Sequence, residues 1–221
     1  MPWPAFRRRL CGATQPLRPT RRTRKEERKN GRVAMGDQGT RPAMPQSFET
    51  PRLSLRPFSA GDAEAAFQWL GDPEVMRFIP TGPDPSVEGT RRRVARYRDH
   101  QARHGFSRWI VRERGSGEAV GDSGLVFLES GSIDLGFRFA RAWWGQGFAT
   151  EVATAWIRVA FVDLRLDRLT AFAHPQNLAS LHVLEKVGFR KTSAERIMGM
   201  EAFTFVLDAR DRPLVGEAEP G

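Results

Sequence analysis

The segment Trp143-Trp144-Gly145-Gln146-Gly147-Phe148-Ala149 is the part of this 221-residue chain best suited to hold an anion. Two glycines one residue apart allow a tight turn and present successive N–H groups without obstruction by Cβ. A helix beginning here adds about half a unit of positive charge at its start, which favours a phosphate or pyrophosphate. The nucleoside-triphosphate loop is excluded because no Gly-Lys-Ser/Thr follows, and the dinucleotide fingerprint fails because Thr150 stands where its third glycine is needed. A plain strand-to-helix turn is the competing reading. The four histidines make no metal site, since His100 and His104 share a spacing of four but lack an evident third ligand. The single cysteine, Cys11, excludes an internal disulfide framework and a multi-cysteine zinc site.

The elements that must position this loop are legible in the hydrophobic pattern. Arg52–Phe58 alternates as a half-buried strand, and a helix capped by Ser59 and Asp62 runs to about Leu70. Prolines 73, 80, 83 and 85 break the chain around one short helical turn. Ser86 caps an arginine-rich helix to about His104. Closely spaced strands at Phe106–Glu113, Ala119–Leu128 and Ser132–Phe139 predict an antiparallel meander. The glycine loop then leads into a helix from Phe148 to Val162, a strand at Arg168–Ala173 and a helix at Leu178–Lys186. Gly188 sits where a helix C-terminus wants φ > 0. Strands near Phe189–Thr192 and Glu201–Leu207 complete the domain, assigned to residues 47–210, and residues 211–221 read as a flexible C-terminus.

Residues 1–46 carry twelve Lys/Arg and three Asp/Glu, the whole of the net charge of +9, so the rest of the chain is electrically balanced. Proline, glycine and arginine dominate there without an apolar period, and the expectation is a basic, disordered tail. Its readings are an extension preceding a true start at Met35 or Met44, an arm for nucleic acid or ribosome, or a targeting segment. A secretion signal is disfavoured because no apolar run follows the basic one. No stretch approaches a membrane-spanning length of apolar residues.

Four pieces in order, TPRLSLRPF at 50–58, DPEVMRF at 72–78, WWGQGFATE at 143–151 and HPQNLASLHVLEKVGF at 174–189, resemble the GNAT superfamily of acyl-CoA-dependent N-acetyltransferases. Within it they are most similar to the ribosomal-protein-alanine acetyltransferase-like branch. The resemblance covers roughly residues 47–207. It implies an α+β (mixed α/β) fold: a mostly antiparallel twisted sheet of six to seven strands flanked by about four helices, with a splayed parallel strand pair holding acetyl-CoA. It also implies a cytoplasmic, metal-free enzyme, monomer or homodimer, that moves acetyl to an amine on a protein N-terminus, ribosomal or other, or on a small molecule. The alternatives are a non-catalytic acyl-CoA-binding module and a nucleic-acid-associated protein acting through the tail.

Residue by residue, the resemblance places the pyrophosphate on the backbone N–H groups of Trp144, Gly145, Gln146, Gly147, Phe148 and Ala149. The family's polar first loop position falls on Ala142; the neighbouring Arg141 offers a substitute cation. Phe137 and Phe139 would lend backbone groups to the pantetheine arm, their side chains otherwise reading as core. Asn177 would bind the arm and Ser180 would stand near the thioester sulfur, although both also suit helix capping. The tyrosine acid of many relatives is replaced by Leu184, and the chain's one tyrosine is Tyr97. Asp134 is the candidate general base, with a structural ion pair to Arg138 as the other reading. The acceptor would meet residues 59–105, where the arginine-rich helix would favour an acidic acceptor or serve as a solvated face; His174 and His182 are further candidates to line its pocket.

Overall fold

The structure is a computed structural model that describes residues 44–211. The tail reading and the C-terminal reading therefore fall almost wholly outside the described residues. The elements are β1 (Phe48–Glu49), β2 (Leu53–Pro57), α1 (Ala63–Leu70), α2 (Pro73–Met76), α3 (Val87–His104), β3 (Arg108–Glu113), β4 (Ala119–Phe127) and β5 (Ile133–Phe139). Then follow α4 (Phe148–Arg158), β6 (Arg168–Ala173), α5 (Leu178–Lys186), β7 (Arg190–Ile197) and β8 (Met200–Asp208).

One eight-stranded sheet runs in the order β1-β2-β3-β4-β5-β6-β8-β7, and every pairing is antiparallel except β5 with β6. The predicted meander is β3 through β5, and β2 pairs antiparallel along β3. The crossover β5–α4–β6 is the one parallel step, as the intervening helix requires. The sheet has a strand more than the expected six to seven, because the two-residue β1 pairs along β2. Five α-helices flank it among the described residues, the short α2 accounting for the helical turn expected between the prolines.

Strand alternation sends side chains to two separate cores. On β3, Trp109 and Val111 join the cluster under α4 and α5, whereas Ile110 joins the cluster under α1 and α3. Three tryptophans, Trp69, Trp109 and Trp156, are fully buried, and Trp109 and Trp156 meet edge to face at 5.2 Å. At roughly 150–250 Å² each, such rings dominate what the sheet and helices gain by packing.

Helix boundaries follow local chemistry. Ser86 Oγ accepts from the Gly89 N–H at 3.3 Å and starts α3. Gly188, at φ +96°, turns the chain after α5, donating to the Glu185 carbonyl at 3.0 Å. Two expectations need correction. The helix expected to reach Val162 ends as α-helix at Arg158 and continues as one π-turn, Val159–Asp163, with Leu164 N–H bonded to the Val159 carbonyl. The last hairpin is longer than expected, joined by the two residues Met198-Gly199. β7 is exposed along almost its entire length and so carries no alternating apolar signal. Among the described residues, no helix is long and apolar enough to cross a membrane.

Candidate active site

The glycine loop leaves β5 through a 3-10 turn, Arg141–Trp143, and enters α4 at Gly147. Gly145 and Gly147 lie at φ +74° and +81°, where an L side chain is strained. A Cβ on Gly145 would meet no protein atom, so the space above it is open to a ligand. Gly147 provides no side-chain cap, and the N–H groups from Gly145 to Ala149 have no acceptor among the described residues. Five unpaired donors at a helix start form a cradle suited to an anion. The N–H of Trp144 is not part of it: it donates to the Arg141 carbonyl at 3.1 Å and closes the preceding turn. Arg141 turns away as well, its Nε donating to Asp72 Oδ2 at 2.7 Å.

A clamp between the first and third of the quoted motifs, whose pairing the sequence does not reveal, fixes this loop. Glu151 accepts from Thr50 Oγ at 2.6 Å, the Arg52 N–H at 2.9 Å and Arg52 Nε at 2.7 Å. Burial works against the Glu151 charge, but these donors overcome it and hold its carboxyl below the usual range. Arg52 Nη1 also donates to the Gln146 carbonyl at 2.9 Å, and its guanidinium lies 4.6 Å above the Phe148 ring. Because a trans peptide points its N–H opposite its C=O, pinning the Gln146 carbonyl aims the Gly147 N–H away from Arg52. Gln146 itself donates from Nε2 to the Ala142 carbonyl.

Beside the loop the sheet opens. β5 and β6 pair only at Asp134 and Thr170, and diverge beyond that point. The bonds from Ala140 N–H to Val120 and from Leu128 N–H to Ser132 set the phase of the β4–β5 ladder. Two-residue alternation then turns the backbone groups of Phe137 and Phe139 toward the gap. The Phe139 carbonyl is taken by Trp144 Nε1 at 2.7 Å, so of these two residues Phe137 alone turns both backbone groups unengaged by that bond toward the gap. Both phenyl rings belong to the core or pack on it, with Phe139 6.1 Å from Phe148. Across the gap, Asn177 Oδ1 accepts from the Ser180 N–H at 3.2 Å and caps α5, so capping holds for Asn177, with its Nδ2 left to donate elsewhere. The Ser180 hydroxyl has no partner among the described residues. Exposed Trp144 and Leu178 follow the C-terminal ends of β5 and β6, apolar groups presented at the mouth; Leu178 carries no motif that would single it out in the sequence.

Asp134 lies on the opposite face of β5, and its partner is Arg108: Nη2 donates to Oδ2 at 2.8 Å, both side chains being about 14% exposed. The expected alternative partner, Arg138, is engaged instead with the fully buried Asp122, at 2.5 Å, and with the Tyr97 hydroxyl at 2.7 Å. Four residues along a strand span about 13 Å, too far for Arg138 to reach Asp134, whereas Asp122 is its direct cross-strand neighbour. Burial pushes the Asp134 carboxyl up to about 6, the Arg108 charge and hydrogen bond opposing it only in part. An acid with that value is largely ionised at neutral pH yet basic enough to accept a proton.

A cleft of about 410 Å³ lies between the chain after α2 and the β7–β8 turn, bordered by Pro80, His174 and Met198. His174 ends β6 and stacks on Phe78 at 4.9 Å, so this cleft opens at the same end of the sheet as the glycine loop. The Asp72–Arg141 pair ties the start of α2 to the turn ahead of that loop. His182 is exposed on α5 and does not border the cleft. His100 is spent on structure, bridging the Phe106 carbonyl and the Phe127 N–H, and no metal-binding group of side chains exists among the described residues.

The sequence pattern of the Acetyltransferase (GNAT) domain matches residues 52–190. The uncharacterized protein YkkB of Bacillus subtilis is 31% identical, over 66% of this chain and 87% of its own. RimJ of Mycobacterium smegmatis, solved in complex with CoA-disulfide, superposes with a TM-score of 0.66 at 24% identity, covering 77% of this chain and 90% of that one. The ribosomal-protein-S5-alanine acetyltransferase of Vibrio fischeri shares the fold with a TM-score of 0.64 at 17% identity, over 76% and 98%. With the helix-start cradle, the splayed strands and this matching pattern in one domain, the chain belongs to the GNAT family of N-acetyltransferases.

Proposed function

We propose that the enzyme transfers acetyl from acetyl-CoA directly to a primary amine, on a protein N-terminus or a small molecule. The observation that carries this reading is the row of unpaired amides from Gly145 to Ala149 beside the β5–β6 gap. These amides take the pyrophosphate, and Phe137 and Asn177 take the pantetheine arm. The Phe137 N–H polarises the thioester carbonyl. Holding both reactants in one groove supplies proximity. Asp134, through a water, removes the proton from the ammonium form of the acceptor. The amine lone pair then forms the C–N bond as the C–S bond breaks, and the second proton of the acylated nitrogen passes, relayed by Ser180 or a water it holds, to the departing thiolate, whose ordinary pKa is near 8.5. Tyr97 takes no part, being locked under Arg138 in the opposite core.

Acceptor chemistry belongs to the cleft under Met198 and His174. The fold shared with the Vibrio fischeri enzyme supports a ribosomal-protein N-terminus as one acceptor to test. The experiment is a screen of amines and peptides that follows CoA release by the purified protein. Release with at least one primary amine is expected. Binding of acetyl-CoA with no release across the panel would leave a non-catalytic acyl-CoA module in its place.

A further inference from the structure

The β7–β8 turn contradicts the chemistry of its own backbone. Ile197 and Met200 pair across the hairpin, leaving Met198 and Gly199 as a two-residue turn at φ +50° and +84°. Two successive positive φ values call for Asn, Asp or Gly at the first position, and an unbranched apolar residue there is strained. Among the described residues, Met198 and Arg165 alone combine a side chain with such a φ. Met198 is also 57% exposed, so neither backbone nor burial favours methionine at this place. Strain kept where packing does not repay it points to a role in binding.

Met198 borders the open 410 Å³ cleft at the C-terminal end of β6. Pro80 and His174 line the same cleft, and the His174 ring is backed by Phe78, stacked on it at 4.9 Å. His174 Nδ1 accepts from the Gln176 N–H, so the neutral ring carries its proton on Nε2. Glu201 adds one carboxylate to the same cleft. A flexible, polarisable thioether sharing a cleft with one aromatic ring suits an apolar side chain, and the carboxylate suits the positive charge of an amine.

We propose that Met198 is a specificity-determining residue whose side chain, with the His174 ring, grips an apolar substituent of Leu, Met or Phe size carried beside the acceptor amine. The proposal rests on the acetyl-transfer reading for the chemical step after binding, but not for binding itself. The test compares wild type with Met198→Asn and Met198→Leu. Asn suits the turn, so Met198→Asn folds and melts higher by roughly 2–4 °C. Calorimetry with 2-phenylethylamine, alongside ethylamine as the truncated probe, reads the site directly. Met198→Asn weakens 2-phenylethylamine binding at least about tenfold, leaves ethylamine unchanged, and Met198→Leu retains affinity. In CoA-release assays the wild type prefers a Met-initiated over a Gly-initiated tetrapeptide, and Met198→Asn loses that preference. Equal affinity of wild type and Met198→Asn for 2-phenylethylamine overturns the proposal. Intact binding without CoA release from any amine overturns acetyl transfer and leaves the site standing.

Discussion

Arg108 reaches Asp134 by lying flat across two glycines. Arg108 on β3, Gly124 on β4 and Gly136 on β5 are consecutive cross-strand neighbours, and a Cβ on Gly136 would strike the guanidinium. The trough lets Arg108 Nη1 donate to the Gly124 carbonyl at 3.0 Å while Nη2 holds Asp134 Oδ2. One carboxylate oxygen is thereby fixed, and Oδ1 has no partner among the described residues.

Turnover should rise with pH through about 6, the value to which burial lifts Asp134. Asp134→Asn should lower kcat by about 10²-fold or more, abolish that limb and leave acetyl-CoA affinity near normal. Arg108→Gln removes the opposing cation, so the limb should move to higher pH. A pH–rate profile of each variant is the check; an unaltered limb in Asp134→Asn removes Asp134 from the reaction.

Replacing Gly145 and Gly147 together by valine forces β-branched residues to positive φ and places side chains over the open amides. Coenzyme A affinity, measured by calorimetry, should fall more than about tenfold, a loss above roughly 1.4 kcal/mol. Undiminished affinity would refute the cradle.

Arg52 and Glu151 set the loop rather than touch the reacting atoms. Arg52→Ala frees the Gln146 carbonyl and should raise KM for acetyl-CoA by about tenfold, the order of one lost charged hydrogen bond, with kcat little changed. A drop in kcat at constant KM would place Arg52 in the chemistry instead.

Asp122 is fully buried between Trp69 Nε1, at 2.6 Å, and Arg138. Asp122→Asn leaves the Arg138 charge uncompensated, and urea unfolding should show a loss of about 3–5 kcal/mol. A loss under about 1 kcal/mol would mean the pair is better solvated than its burial indicates.

Acid stability should turn on Asp62. Burial disfavours its charge, but Arg56 and both the N–H and hydroxyl of Ser59 prevail and hold it at about 2. A carboxyl depressed in the fold contributes stability that is complete above the unfolded value near 4 and is lost as pH falls through about 2. Asp62→Asn should therefore flatten the acid limb of a pH–melting curve. A wild-type-like limb would assign acid unfolding to other groups.

Residue order alone determined a set of local features: the Ser86 cap, the Gly188 turn, the meander spacing and the glycine loop ahead of α4. Each depends on backbone preferences within a few residues, and each stands in the fold as read. The family pattern was legible for the same reason, since its motifs are contiguous. Tertiary structure alone decided the partners. Thr50 and Arg52 meet Glu151 about a hundred positions away, and Asp134 pairs with Arg108 because sheet register, not sequence spacing, sets which charges face each other. The strain at Met198 likewise arises only when β7 and β8 pair. β7, polar and exposed on both faces, was legible as a strand only over its first residues, so the hairpin's full length and its turn at Met198-Gly199 were not readable.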